Sequence, residues 1–495
     1  MSSQSILSFD LAIPARLSPV PVPAAPRISA RRSGLDLIGG SLLHLPRAAW
    51  MAIDVAIVCG GTILGNRLFV WWTIEGSILS DYSIALANIV LASAVVLAGC
   101  IFGLYEPTTL WSRSRIAVRC LLTVTLAMTS TWLVMHLFMY SNMSRRAALC
   151  GTLFYLVGAT SFRLICHYAL QGVRRGLLVV GQGPLTGAII RSVRRQSIPG
   201  YRLVGVVVPE RDEANRRGAG DIPVVGALSE VENLVRRHEV AEVVVAQSAA
   251  AIPEYQKAAL ACLRLGCRVT DETTFYETTY GEVPVSHISP SWFLSADLKG
   301  HRREHAVAKR IFDVFVAVVA LVLSAPAFIL VAGLLRFENR GPILYSQTRV
   351  GRGGRLFTLY KFRTMATSAE DAGTAWATLN DPRATSIGRR LRRSRLDELP
   401  QLWNILRGDM SVVGPRPERP EFVRPLSAVI PFFDERHLIK PGLTGWAQIN
   451  YPYGATVADA RRKLQLDLYY VKHISLELDL IILLRTLGTF FRGGR

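Results

Sequence analysis

The chain has 495 residues, 50% of them hydrophobic, and a formal net charge of +20. That length excludes a single ordinary domain, and a mean hydropathy of +0.28 sets the chain apart from most soluble enzymes. So basic a chain meets anionic partners, and apolar segments flanked by basic loops select acidic lipid headgroups over nucleic acid. The seven cysteines suggest no disulfide framework. Cys59, Cys100, Cys120, Cys150 and Cys166 fall in apolar stretches, while Cys262 and Cys267 lack metal-site spacing.

Residues 1–47 are rich in Ala, Pro, Ser and Arg without a sustained period, which predicts a disordered basic terminus. Arg31-Arg32 invites a twin-arginine export reading, but the apolar stretch beyond it continues into further spans with no small-residue cleavage site. Four apolar segments, at about 48–72, 83–104, 118–140 and 147–170, each reach the ~20 residues that a spanning helix needs. Arginines precede the first segment, lie between the second and third (Arg113, Arg115) and follow the fourth (Arg174, Arg175). This predicts a four-helix transmembrane bundle over 48–171 with both ends in the cytoplasm, although Arg145 and Arg146 oppose that orientation.

Residues 172–297 read as a Rossmann-like cytoplasmic α/β domain, with strands GLLVVG, YRLVGVVV, AEVVVA and CRVT. Gly181, Gly183 and Gly187 have the spacing GxGxxxG rather than GxGxxG, and Glu210 lies beyond the usual distance of a ribose-binding acid. The expectation is a nucleotide-binding-like fold serving regulation or assembly, whose deletion over about 172–297 leaves activity intact.

Residues 298–495 open with the basic collar KGHRREHAVAKR, followed by the apolar run Ile311 to Phe337 with Ser324 and Pro326 at its middle. A plain fifth span would put the α/β domain and everything after it on opposite sides of the membrane. A re-entrant helix–break–helix over about 308–337 avoids this, with Ser324 available to partner backbone groups freed by Pro326. The final apolar segment carries Asp479 and Arg485, which predicts an amphipathic helix lying on the membrane.

Between these membrane elements lies RRLRRSRLDELPQLWNILRGDMSVVGPRP, Arg389 to Pro417. Asp397, Glu398 and Pro400 fit an ordinary helix start. The five arginines upstream (Arg389, Arg390, Arg392, Arg393, Arg395) do not follow from that, because their repulsion calls for an anion. A helix N-terminus also helps to keep a carboxylate ionised, as a nucleophile requires. On chemistry alone the two readings are even.

Several motifs occur in order: Lys309-Arg310 with Phe312-Asp313, Gln347-x-Arg349-x-Gly351, Lys361-Phe362-Arg363-Thr364-Met365, Asp397-Glu398-Leu399-Pro400-Gln401, Gly414-Pro415-Arg416-Pro417 and Pro441-Gly442-x-Thr444-Gly445. This set, over about 305–495, resembles the bacterial sugar transferases, polyprenyl-phosphate hexose-1-phosphate transferases of the monotopic phosphoglycosyl transferase superfamily. The bundle and α/β domain in front resemble the large members, and GWAQINYPYG and DLYYVK look most like the exosortase-associated exopolysaccharide branch.

The resemblance implies that Asp397 attacks the sugar-bearing phosphorus of a UDP-sugar and that undecaprenyl phosphate accepts the phosphosugar. It implies Mg²⁺ held by Glu398 and Asp397, and Arg392 and Arg416 near the diphosphate, with Lys361 and Arg363 plausible additions. Lys309 and Arg310, at the hairpin mouth, are expected to meet the lipid phosphate, and Arg395 has no assigned role. The expected site is the bacterial inner membrane, with the catalytic domain cytoplasmic and a homodimer compatible with the chain. The sugar is expected to be glucose or galactose phosphate. Two other functions compete: a membrane-tethered nucleotide-sugar dehydratase or epimerase, and a non-catalytic exopolysaccharide scaffold. The first needs Tyr-x-x-x-Lys, which no tyrosine here satisfies, and the intact acid pair with Arg416 opposes the second.

Overall fold

The computed structural model describes residues 46–72, 81–105, 109–110, 112–138, 145–170, 174–195, 200–208, 224–246, 252–295, 303–338, 341–365, 383–451, 454 and 456–491. The expected disordered terminus (1–47, but for residues 46 and 47) and Glu210 lie outside the described residues.

The four N-terminal apolar segments are four helices: α1 (Arg47–Trp72), α2 (Asp81–Ile101), α3 (Arg113–Phe138) and α4 (Arg145–Leu170). They share a core that includes Val58, Leu91, Val95, Val124, Ala127, Tyr155 and Ala159. Inside it, Arg163 of α4 grips Asp54 of α1 through two bonds of 2.9 and 2.8 Å. A charge pair so removed from water persists only through mutual neutralisation. Among the described residues, three stretches are long and apolar enough to cross a membrane: Arg47–Leu64, Arg113–Val134 and His305–Glu338.

Next come β1 (Arg175–Val180), β2 (Tyr201–Val208), β3 (Val224–Ala227), β4 (Val240–Val245) and β5 (Arg268–Asp271). They form one parallel sheet in the order 3-2-1-4-5, and four of its strands are the four runs read from the sequence. Helices α5 (Thr186–Arg194), α6 (Val231–His238), α7 (Pro253–Arg264) and α8 (Glu272–Tyr280) cover it. α5 and α8 take one face, α6 and α7 the other. Burial on both faces is why these strands read as nearly unbroken Val/Leu runs.

The C-terminal unit comprises α9 (Pro290–Ser295), α10 (Arg303–Glu338), the antiparallel hairpin β6 (Leu344–Val350) and β7 (Leu356–Phe362), α11 (Ser386–Arg393), α12 (Gln401–Arg407) and β8 (Ser411–Val413). α13 (Pro420–Val429), β9 (Gly442–Thr444), α14 (Trp446–Asn450), α15 (Val457–His473) and α16 (Leu476–Phe491) complete it.

Two details differ from expectation. The seam drawn at 297/298 falls earlier in the chain: Val283, Val285, Ile288, Trp292 and Phe293 pack in one core with Val423, Leu426, Phe433, Leu464 and Leu468. Deleting 172–297 would therefore strip apolar side chains out of the transferase core.

The expected helix break is also absent, because α10 runs as one helix through Pro326. The Ser324 hydroxyl lies 3.4 Å from the Leu321 carbonyl, not against the Val322 carbonyl that proline leaves unpaired. Both arms of α10 nevertheless lie on the same folded unit. Near its start, Asp313 accepts from Ser411 Oγ and Val412 N. At its end, Glu338 accepts from Thr385 Oγ1 and Ile387 N. Ala317 packs with Leu359 and Leu402, Val331 and Leu335 pack with Phe362 and Leu391, and Leu399 touches both clusters. Between the arms, Leu323 and Ile329 are 77% and 74% exposed.

Candidate active site

The acid pair sits on a short 3-10 turn, Leu396–Glu398, between α11 and α12. α11 begins at a Thr385 cap, whose hydroxyl accepts from Gly388 N. It lies so close to β7 that a Cβ on Gly388 would collide with the Thr364 backbone. Arg395 then takes a left-handed conformation, φ 56°, which is unusual for a non-glycine residue and turns the chain so that Asp397 and Glu398 face inward. Pro400 precedes α12, as expected of a helix start. Asn404, fully buried on α12, completes the arrangement. Its Oδ1 accepts from Tyr360 N at 3.1 Å and its Nδ2 donates to Thr358 O at 2.7 Å, so it pairs with β7 as a neighbouring strand would. That pairing sets Lys361 opposite Glu398.

The other side of the site is built from glycines. α12 ends at Gly408, φ 98°, and β8 leads into Gly414-Pro415-Arg416-Pro417. β8 pairs in parallel with β9, Gly414 N donates to Thr444 O and Gly442 N to Pro415 O, both at 2.9 Å. A Cβ on Gly442 or Gly445 would strike the Gly414 backbone. The two glycine motifs are therefore one backbone-to-backbone contact, and it fixes where Arg416 emerges. Arg436 Nη2 supports Arg416 from behind through its carbonyl and is itself paired with buried Asp467 at 2.8 Å.

Three cations meet Glu398: Lys361 Nζ and Arg416 Nη2 reach Oε1 at 3.2 and 3.1 Å, and Arg395 Nη1 lies 3.5 Å from Oε2. Burial pushes the Glu398 carboxyl up, but Lys361, Arg416 and Arg395 outweigh it and hold the group well below the usual carboxylate range. Asp397 differs. Its Oδ1 is buried without a hydrogen-bond partner. Burial raises its pKa, Lys361 and Arg392 pull it down, and the charge on Glu398 raises it; the net shift is upward. Burial pushes the Lys361 ammonium down.

Lys361 and Arg416 thus meet Glu398 beside Asp397, and Arg392 is near enough for its charge to act on Asp397. Arg363, one residue beyond β7, is buried with interactions inside the protein. Lys309 and Arg310, expected to meet the lipid phosphate, do not join the cluster and have partners inside the protein. Lys309 Nζ sits 3.0 Å from Asp313 and 2.7 Å from buried Asp479, one helical turn and one neighbouring helix away. Arg310 donates to Ile405 O and Leu406 O, carbonyls of the last turn of α12, where backbone acceptors run short of intrahelical donors. Sequence reasoning missed Asn404, Asp313, Arg395 and Gln448, whose Oε1 lies 3.5 Å from Arg416 Nη1. Of these, Asp313 stood in the first of the ordered motifs and Arg395 in the arginine run, each without an assigned role.

No group of three or more His, Cys, Asp or Glu that could hold a metal occurs among the described residues. The pair fits a cation in part: Asp397 Oδ1 has no hydrogen-bond partner, whereas both Glu398 oxygens already face positive charge.

The profile described as Bacterial sugar transferase matches residues 304–493, and that described as CoA-binding domain matches 100–269. The chain is 43% identical over 189 residues to the UDP-N-acetylgalactosamine-undecaprenyl-phosphate N-acetylgalactosaminephosphotransferase of Aeromonas hydrophila, covering 38% of this chain and 45% of that protein. It is 43% identical to the undecaprenyl-phosphate glucose phosphotransferase of Komagataeibacter xylinus, covering 36% and 35%. It thus spans less than half of the length of either relative. The exopolysaccharide production protein PSS of Rhizobium leguminosarum bv. phaseoli is 42% identical, with 38% of this chain and 98% of that protein covered. That last match takes in nearly the whole of a relative, and the chain belongs to the bacterial sugar transferase family.

Proposed function

We propose that the protein transfers a hexose-1-phosphate from a UDP-sugar to undecaprenyl phosphate, the priming step of exopolysaccharide synthesis. The observation that carries this reading is the unpartnered Asp397 Oδ1 beside a Glu398 already compensated by three cations. One carboxylate organises the cations, and the other keeps an oxygen for attack.

Asp397 forms a bond to the sugar-bearing phosphorus, the phosphorus–oxygen bond to UMP breaks, and UMP leaves. An oxygen of the lipid phosphate then attacks that phosphorus, breaks its bond to Asp397 and restores the carboxylate. Arg416, Arg392 and Lys361 hold the diphosphate oxygens, planar guanidinium groups being suited to paired oxygens. A bound Mg²⁺ would neutralise diphosphate charge, with Asp397 and Glu398 as its acids and Asp397 Oδ1 the one not yet engaged.

For the membrane, we read α1–α4 as crossing the inner membrane, the parallel sheet as Rossmann-like and cytoplasmic, and α10 as re-entrant. The re-entrant reading is supported by the attachment of both α10 arms to one unit and by the exposed apolar residues between them. Lys309 and Arg310 then act as positioning residues that fasten the N-terminal arm of α10.

The test is UMP release from UDP-glucose, UDP-galactose and UDP-N-acetylgalactosamine by membranes containing the protein. Release should require undecaprenyl phosphate and stop with EDTA; turnover indifferent to the lipid sinks the reading. Cysteines placed at position 305 and near 340 should be labelled from the same side, and labelling from opposite sides means a true fifth span.

A further inference from the structure

The glycine turn after β1 has the form of a phosphate seat at the N-terminus of α5, and the profile over 100–269 carries the description of a CoA-binding domain. The residues present do not fit such a ligand. Glu272, the first residue of α8, is fully buried and directs its carboxylate into the turn. A Cβ built on Gly183 would lie 2.6 Å from Glu272 Oε2 and 2.7 Å from its Cδ. Thr186, the first residue of α5, accepts from Gly183 N at 2.9 Å and has its hydroxyl 3.2 Å from Glu272 Oε2. The amide and hydroxyl that would receive a phosphate oxygen are therefore engaged, and the space is filled by a carboxylate. A diphosphate there would set like charges against each other where water is excluded. Glu272 also lies beyond the matched range, which ends at residue 269.

The same helix carries the transferase unit at its other end. Glu277 of α8 accepts from Lys472 Nζ and Trp292 Nε1, both at 2.6 Å. Gly281, its C-cap, accepts from Trp446 Nε1 at 2.7 Å, and Glu282 accepts from Arg462 at 2.6 Å. We propose that the Gly181–Gly187 turn is closed to phosphate-bearing ligands by the chain's own Glu272 carboxylate and serves instead to anchor α8, the helix on which the transferase unit is seated. Gly183 is glycine to admit Glu272, not a pyrophosphate.

The test uses the full chain in detergent, read by hydrogen exchange. Millimolar CoA or NAD⁺ should leave peptides over residues 176–195 unchanged; ligand-dependent protection there overturns the proposal without any variant. Gly183→Ala should lower the protection of α8 by ~10-fold, and by much less in a Glu272→Ser background, because the added methyl and the carboxylate compete for one space. Equal damage by Gly183→Ala with and without Glu272 would also overturn it. Neither readout depends on transferase activity, so it stands apart from the proposed reaction.

Discussion

At Asp397–Glu398, three cations converge on one carboxylate and leave an oxygen of its neighbour unpartnered. At the Gly181–Gly187 turn, a single carboxylate takes the backbone gap and the hydroxyl that a phosphate would use. Both places look anion-directed in sequence, one through arginines and the other through glycines. The difference is whether the chain supplies the anion in full. Where it does, the turn becomes a joint; at the acid pair, converging cations and a buried oxygen without a hydrogen-bond partner are left for the proposed reaction.

The largest effect that could break this contrast is at Asp397. Asp397→Asn should cut UMP release by ~10³-fold or more and abolish any trapped phosphosugar adduct, since the nucleophile acts as a unit with its surroundings. Full activity in that variant would make the open oxygen an accident of packing.

Lys361→Met removes one of three cations and should lower kcat/KM by ~10–100-fold, as expected on losing a charge-assisted phosphate contact. Its pH profile sharpens the point. Because burial raises the pKa of Asp397, the ionised form is lost as pH falls through a value above the ~3.9 of a free aspartate. Lys361 opposes that rise, so removing its charge should move the acid limb to higher pH. A limb that stays put or moves down would mean that another group controls it.

Asn404→Ala should cost ~2 kcal/mol of stability, because Tyr360 N–H and Thr358 C=O on β7 lose their partner in a buried setting. The check is the thermal midpoint of the purified protein. The smallest expected change is at Arg395, half exposed at the rim. Arg395→Gly relieves a left-handed backbone while losing a surface ion pair, so stability should stay within ~1 kcal/mol. A large loss of activity there would move Arg395 from the rim into the diphosphate site.

By itself the sequence determined what depends on neighbours along the chain. Length and hydropathy marked the four N-terminal helices, Val/Leu runs marked four of five strands, and the ordered motifs marked Asp397, Glu398, Arg416 and Lys361. Periodicity and charge density are local, so they survive in one dimension. Partner identity is not local, and only the tertiary structure decided it. Lys309 looked available until Asp479 closed on it, and Arg310 until α12 ended against it. Val283 and Val285 were counted with the α/β domain until they filled a core with α13 and α15. The glycine turn departed from the dinucleotide spacing in sequence, but only the fold showed that Glu272, separated from Thr186 by 86 positions, packs onto it. A buried donor or acceptor is satisfied by whatever the fold brings within about 3 Å, and spacing along the chain carries no record of that distance.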